Sequence, residues 1–239
     1  MLLNFFLNTE IQILIIIIGS FYLQDSQDFL LEYLDYRDKL LENLLIFEAH
    51  NAHGLCSDCN SQPGLIRCND CLHSPIFCQQ CLLKQHIHLP FHHVEQWDNN
   101  FFNKSSLYDH GFVIHLGHCG LPCPHAQSTP SFDTTLTLVH VNGIFKHRVQ
   151  WCSCPNAKTK FLQLFHTRLF SASFKQPKTA FTFDLLDYYY IDSMECKTAA
   201  MAFFQKLKRL SNNAFPDEIE VCDFFCIEFS ILIFYFILE

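Results

Sequence analysis

The chain has little charge, little glycine and no uninterrupted apolar run of the length a membrane helix needs. Charged residues fill only 17% of its 239 positions, and the formal net charge is −8. That balance excludes a protein coated in positive potential but leaves room for a local basic face. The seven glycines build no Gly-rich phosphate loop, and no nucleophile elbow is present. An enzyme is therefore not expected, nor a small-molecule substrate. The apolar stretch over residues 13–23 follows Glu10 and Gln12 with no Lys or Arg before it, and residues 229–238 follow Asp223 and Glu228. Each falls short of the ~20 residues a spanning helix requires and lacks the flanking charge pattern. No membrane role is expected. Residues 1–25 and 214–239 read as apolar tails flanking the working domain.

What is present is cysteine, histidine and apolar bulk. An apolar share of 49%, with 26 phenylalanines, is enough for a buried core. Of the thirteen cysteines, six stand in three Cys-x-x-Cys pairs interleaved with histidines. Disulfide pairing has no use for histidine, whereas zinc takes both ligand types. A metal reading implies a reducing compartment, the nucleus or cytoplasm.

The ligand string is Cys56-x2-Cys59-x8-Cys68-x2-Cys71-x6-Cys78-x2-Cys81-x4-His86-x5-His92. Two intervening residues let both sulfurs of a Cys-x-x-Cys turn reach one ion. Eight ligands fill two tetrahedra and leave no position for an activated water, so two structural Zn2+ ions are expected. His88 and His93 rival the two histidines, while His50, His53, His73 and His110 read as surface residues. A unit this short buries too little apolar area to fold unaided, so metal affinity must supply much of its stability. Downstream, His118, Cys123, Cys152 and Cys154 could complete a third tetrahedron, with Cys119 and His147 as spares. The alternative for these thiols is plain burial in a core.

The fold class expected is α+β: small zinc-stabilised units with short strands, flanked by an N-terminal amphipathic helix and C-terminal helices. Residues 26–47 place Leu30, Tyr33, Leu34, Leu40, Leu41, Leu44 and Leu45 on one helical face, with Arg37 among them. Packing within the chain is the expected use of that face. The divisions expected are a helix over 26–52, a double-zinc module over 53–98, a second cysteine region over 99–155 and a helical region over 156–213. Strands are expected over 113–116 and 135–141, and helices over 179–190 and 196–210.

Charge separates along the chain. Residues 25–50 carry a net of −5 and residues 156–213 a net of +5, while residues 53–155 hold six acids and five bases. Phosphate attraction would therefore fall in the second half, where Lys206, Lys208 and Arg209 are adjacent.

The order of six cysteines and two histidines resembles the B-box class of cross-braced zinc modules. That resemblance implies Cys56, Cys59, Cys78 and Cys81 on one ion, and Cys68, Cys71, His86 and His92 on the other; spacing alone leaves sequential pairing open. Over residues 26–213 the chain also resembles the second type of CxC-like cysteine cluster domain, associated with KDZ transposases of fungi. The landmarks are Leu30-Leu31-Glu32-Tyr33, Leu89-Pro90-Phe91-His92 with Trp97, Leu116-Gly117-His118 with Cys123-Pro124, Asn142-Gly143 and Cys152-Ser153-Cys154. Thr179-Ala180-Phe181-Thr182-Phe183 and Leu207-Lys208-Arg209-Leu210 follow. Cys119 departs from the pattern, which tends to a small or acidic residue there. The resemblance implies an accessory module of a transposase, in a copy without the catalytic region, so Asp184, Asp187 and Asp192 are not read as catalytic. DNA targeting or assembly with a transposase or other protein partner is the implied role. A B-box-like protein-interaction module, with Trp97, Phe101 and Phe102 as its contact patch, is the alternative.

Overall fold

The computed structural model describes residues 26–49, 54–125 and 133–219. The chain divides into two compact units, residues 1–52 and 53–239. In the first, helix α1 (Ser26–Glu48) forms where the amphipathic period predicted it. Leu34, Leu40, Leu41, Leu44 and Leu45 are exposed, while Leu30 and Tyr33 of the same face are half-buried. Arg37 finds its acid next door, Asp38, at 3.1 Å, an exposed pair that contributes little to stability.

The second unit contains two sheets. Strands β1 (Ile66–Cys68), β2 (Ile76–Phe77), β3 (Val94–Trp97) and β4 (Phe102–Ser105) form an antiparallel sheet in the order β2-β1-β3-β4. Helix α2 (Gln79–Gln85) follows β2 directly. The core of this half is small: Ile66, Phe77, Leu82, Val94, Leu107 and Phe112 pack around buried cysteines. Cysteine sulfur thus fills space that a larger domain would give to aliphatic side chains. Trp97 packs on Phe102 with ring centroids 5.0 Å apart, and the Arg67 guanidinium lies 4.2 Å from the Phe102 centroid. Of the three expected contact aromatics, Phe101 is the exposed one.

The second sheet runs β5-β7-β6-β9-β8, built from β5 (Val113–His115), β6 (Asp133–His140), β7 (Gly143–Gln150), β8 (Leu169–Ser171) and β9 (Thr179–Thr182). β6 and β7 form a hairpin in which His140 pairs with Gly143. A Cβ at Gly143 would sit 2.9 Å from the Ser211 Oγ, so the turn requires glycine. Strand alternation gives the sheet two faces. Leu136, Leu138, Val149 and Ala180 pack with Leu164 of α3 (Lys160–His166) on one. Val139 and Phe181 pack on the other against α4 (Phe183–Glu195) and α5 (Ala200–Ser211).

The structure corrects the sequence expectation for 179–190. Thr179–Thr182 is a strand, and the helix begins at Phe183, where the Thr182 hydroxyl accepts the Leu185 N–H at 3.2 Å. The β-branched threonines pair with β6 and β8, which outweighs the helical periodicity that runs through them. The helix expected from 196 starts four residues later, at Ala200. Residues 1–25 and 220–239 of the apolar tails, together with His50 and His53, lie outside the described residues. Among the described residues no helix is long and apolar enough to cross a membrane.

The first module and the larger sheet are joined chiefly around Phe91, with a second contact from Lys104. Phe91 stacks on His140 at 4.5 Å, tilts against Phe145 at 5.7 Å and meets His147 edge-on at 6.2 Å. The Asn142 amide donates to the Phe91 carbonyl at 2.7 Å. The Lys104 ammonium donates to the Ser211 carbonyl, at the C-terminal end of α5, where the helix dipole favours a cation.

Candidate metal centres

Among the described residues, three groups of four side chains bring their donor atoms within 4.8 Å of one another. The first is Cys56, Cys59, Cys78 and Cys81; the second is Cys68, Cys71, His86 and His92; the third is His118, Cys123, Cys152 and Cys154. The first two interleave along the chain, so the sequential alternative left open by spacing is not what the fold assembles.

Local backbone explains each position. Cys56 opens a turn in which the Asn60 N–H donates to its carbonyl at 2.9 Å. Cys68 ends β1, and the Cys71–Ser74 turn closes at 3.0 Å. Cys78 caps α2, and Cys81 sits in that helix. One turn on, at the helix end, His86 presents Nδ1 to the Leu82 carbonyl at 2.9 Å. That contact leaves Nε2 as the metal-facing atom, 3.2 Å from Cys68 Sγ and 3.6 Å from Cys71 Sγ. His92 faces the same sulfurs through Nδ1, at 3.4 Å from each. Asp70, between these two cysteines, accepts the His93 backbone N–H at 2.6 Å and contacts its Nδ1 at 2.8 Å. His93 therefore braces the site next to His92 and does not replace it. His88 and His73 are exposed.

The third group forms where two non-adjacent loops meet. Leu116 continues the β5–β7 pairing by donating to the Gln150 carbonyl at 2.9 Å, which delivers His118 and Cys152 side by side. His118 Nε2 lies 3.4 Å from both Cys152 Sγ and Cys154 Sγ. Cys123 Sγ is 3.9 Å and 3.7 Å from the same two sulfurs. At Gly117 (φ 87°) a Cβ would meet the Cys152 Cβ at 3.2 Å, so glycine permits the approach. The exposed Cys119 is outside the group. His147 is buried among Phe91, Phe112 and Phe145, and burial pushes its pKa down to about 4. It is a neutral core side chain, not a ligand. His110, expected at the surface, is also buried, with Nε2 2.9 Å from Ser105 Oγ.

These separations fit an ion at the centre. Bonds of about 2.3 Å to sulfur and about 2.0 Å to nitrogen give tetrahedral edges of about 3.8 Å and about 3.5 Å. The separations named above for the second and third groups run from 3.2 to 3.9 Å, and all donors of each group lie within 4.8 Å of one another. Electrostatics points the same way. Burial pushes Cys68 up to about 12. Burial also raises Cys123, yet the Ser153 and His125 backbone amides bring it down to about 5. Cys154 is pushed up to about 11, by burial and then by Cys152 and Cys123. Crowded thiols cannot all ionise together unless a cation neutralises them. The donor sets can hold metal.

One supporting residue carried no sequence signal. Gln163 on α3 is buried. Its Oε1 accepts the Cys152 N–H at 2.9 Å, and its Nε2 donates to the Cys152 and Lys158 carbonyls at 3.1 and 2.7 Å. It clamps the Cys-x-Cys loop from below. Gln163→Leu is expected to strand these backbone groups, at about 1–3 kcal/mol for each left unmet, and to loosen the third site selectively. In a chelator titration, one metal fraction should leave earlier than in the parent. A release curve identical to the parent's would refute the clamp.

A family model described as a CxC2-like cysteine cluster associated with KDZ transposases matches residues 107–215. The match contains the whole third group and ends just past α5, while the first two groups precede it. No curated protein and no solved structure matches the chain.

Proposed function

We propose that this chain, which carries a KDZ-transposase-associated cysteine cluster over residues 107–215, is a non-catalytic, three-zinc module that serves DNA targeting or assembly of a transposase complex. The observation that carries this reading is the closure of the sites: each group offers four donors, all thiol or imidazole. Tetrahedral zinc bound by four such ligands has no open coordination position for water or substrate. Soft sulfur donors with imidazole, and no carboxylate, favour zinc over calcium, magnesium or manganese. The ions then act by holding loops, and the exposed surfaces do the recognising.

Support for nucleic acid comes from charge. Residues 107–215 hold eleven Lys and Arg against six Asp and Glu, a net of +5 in a chain whose total is −8. On α5, Lys206 and Arg209 share a face, but Lys208 points the other way at 100° per residue. Lys206 also donates to the Tyr188 hydroxyl at 3.1 Å. The test is electrophoretic mobility of a short DNA duplex with the purified chain across about 50–200 mM salt. Binding whose log affinity falls steeply with log salt, by about 0.9 per phosphate contact, is expected. No shift even at low salt would leave protein contact, in the manner the B-box resemblance implies, as the better account.

A further inference from the structure

Half of one face of the five-stranded sheet is covered by α4 and α5, which bury Val139, Phe181 and the partly buried Ile144. Beyond Ile144, the same face of β7 continues as Lys146, Arg148 and Gln150, and among the described residues no helix of the core cluster extends over it. Lys146 is exposed and Arg148 half-buried. The hairpin register sets Thr137 opposite Lys146 and Thr135 opposite Arg148. The result is a two-by-two array of cations and hydroxyls on neighbouring strands about 4.8 Å apart, with about 6.7 Å between the two rungs.

Tyr108 completes the array. The Lys146 Nζ lies 5.5 Å and the Arg148 guanidinium carbon 4.9 Å from the centroid of its ring. Two like charges are thus gathered on one aromatic, an arrangement that costs Coulomb repulsion unless an anion joins them. Hydrogen bonds from Thr135 and then Arg148, with the Lys146 charge beside them, hold the Tyr108 hydroxyl below the usual phenol range. The local field is therefore positive. The adjacent Asp109 carboxylate is engaged elsewhere, accepting from the Ser106 N–H at 3.1 Å and the Ser106 hydroxyl at 2.6 Å. Asp133 lies one rung further along β6, opposite Gln150. At the other end, the Ser211 hydroxyl accepts the Ile144 N–H at 2.6 Å, so the last turn of α5 abuts the array two residues from Lys146.

We infer that this open half-face, Tyr108 with Lys146, Arg148, Thr135 and Thr137, is a surface that contacts the phosphate backbone of duplex DNA. The inference rests on the DNA-targeting reading above and moves the principal contact from α5 to β7. A strand presents side chains two apart on one face, so its cations point at the same target; three neighbouring bases on a helix do not. The contacts are to phosphate, so they set affinity and position without reading sequence.

The test uses the full zinc-loaded chain and a short mixed-sequence DNA duplex, with affinity followed by fluorescence anisotropy across salt. In Lys146→Gln/Arg148→Gln, the slope of log affinity against log salt should fall by about 2, one for each cation removed. Metal content and melting temperature, measured alongside, should match the parent. Lys84→Gln, an exposed lysine on α2, should leave the slope unchanged. Should the double variant lose metal, Thr135→Asp replaces it: a carboxylate opposite Arg148 should lower the slope by about 1. An unchanged slope in a folded variant overturns the surface while leaving the DNA-targeting reading intact. A parent chain that binds no DNA overturns both.

Discussion

Removing metal from the reduced protein is expected to unfold residues 54–106 completely. This half has strands of two to four residues and a seven-residue helix, each too short to persist alone. Its apolar core holds only a few large side chains beyond the cysteines. Small metal modules of this kind draw on the order of 10–16 kcal/mol from zinc binding, as much as the whole stability margin of an ordinary domain. Chelation also returns several thiols to one small volume, where Cys56, Cys68 and Cys81 are buried. Amide signals of β1 to β4 in a nuclear magnetic resonance spectrum should collapse to unfolded positions as metal leaves, and zinc should restore them. Retention of those dispersed signals in protein shown to be metal-free would end the structural-zinc account.

The second large effect concerns where the folding unit ends. A fragment limited to residues 107–215 is expected to fold poorly, whereas residues 54–219 should melt as one transition. Cutting at 107 removes Phe91 from its place between His140, Phe145 and His147. It also leaves the Asn142 amide without the Phe91 carbonyl and Ser211 without Lys104. Loss of a buried aromatic typically costs about 3–5 kcal/mol, and Phe91 is only half-buried, so part of that figure applies. The Phe112 and Ile114 surface that packs towards the first module is opened as well. Together these losses rival a domain's whole stability. Circular dichroism melts of the two fragments check this, and equal midpoints would sink it.

The coupling has a mechanical consequence. His92 belongs to the second metal group, and Phe91 precedes it directly. An ion at that site holds the loop that seats Phe91 in the larger sheet. The metal groups outside residues 107–215 therefore support the segment that contains the third.

The local parts of the structure were legible because their signals are local. A Cys-x-x-Cys turn brings two sulfurs together whatever surrounds it, so the three pairs and the donor types stood out from spacing alone. The amphipathic period of α1 and the β-branched runs of β5 and β6 were likewise readable within a few residues. Thr179 to Thr182 was misread because a strand that runs directly into a helix shows no break in its apolar pattern. Its state was decided by β6 and β8 alongside it, which no window of sequence contains.

By itself, then, the sequence determined the ligand chemistry, the α+β class and the sign of charge in each region, since these follow from residue types and near neighbours. Only the tertiary structure decided which pairs share a group, that Gln163 clamps the Cys152 loop, that His147 is core, and that Lys146 and Arg148 converge on Tyr108. Each of those depends on strands and loops far apart in the chain being held a few ångströms apart by hydrogen-bond register. That distance is a property of the folded chain and of no short stretch within it.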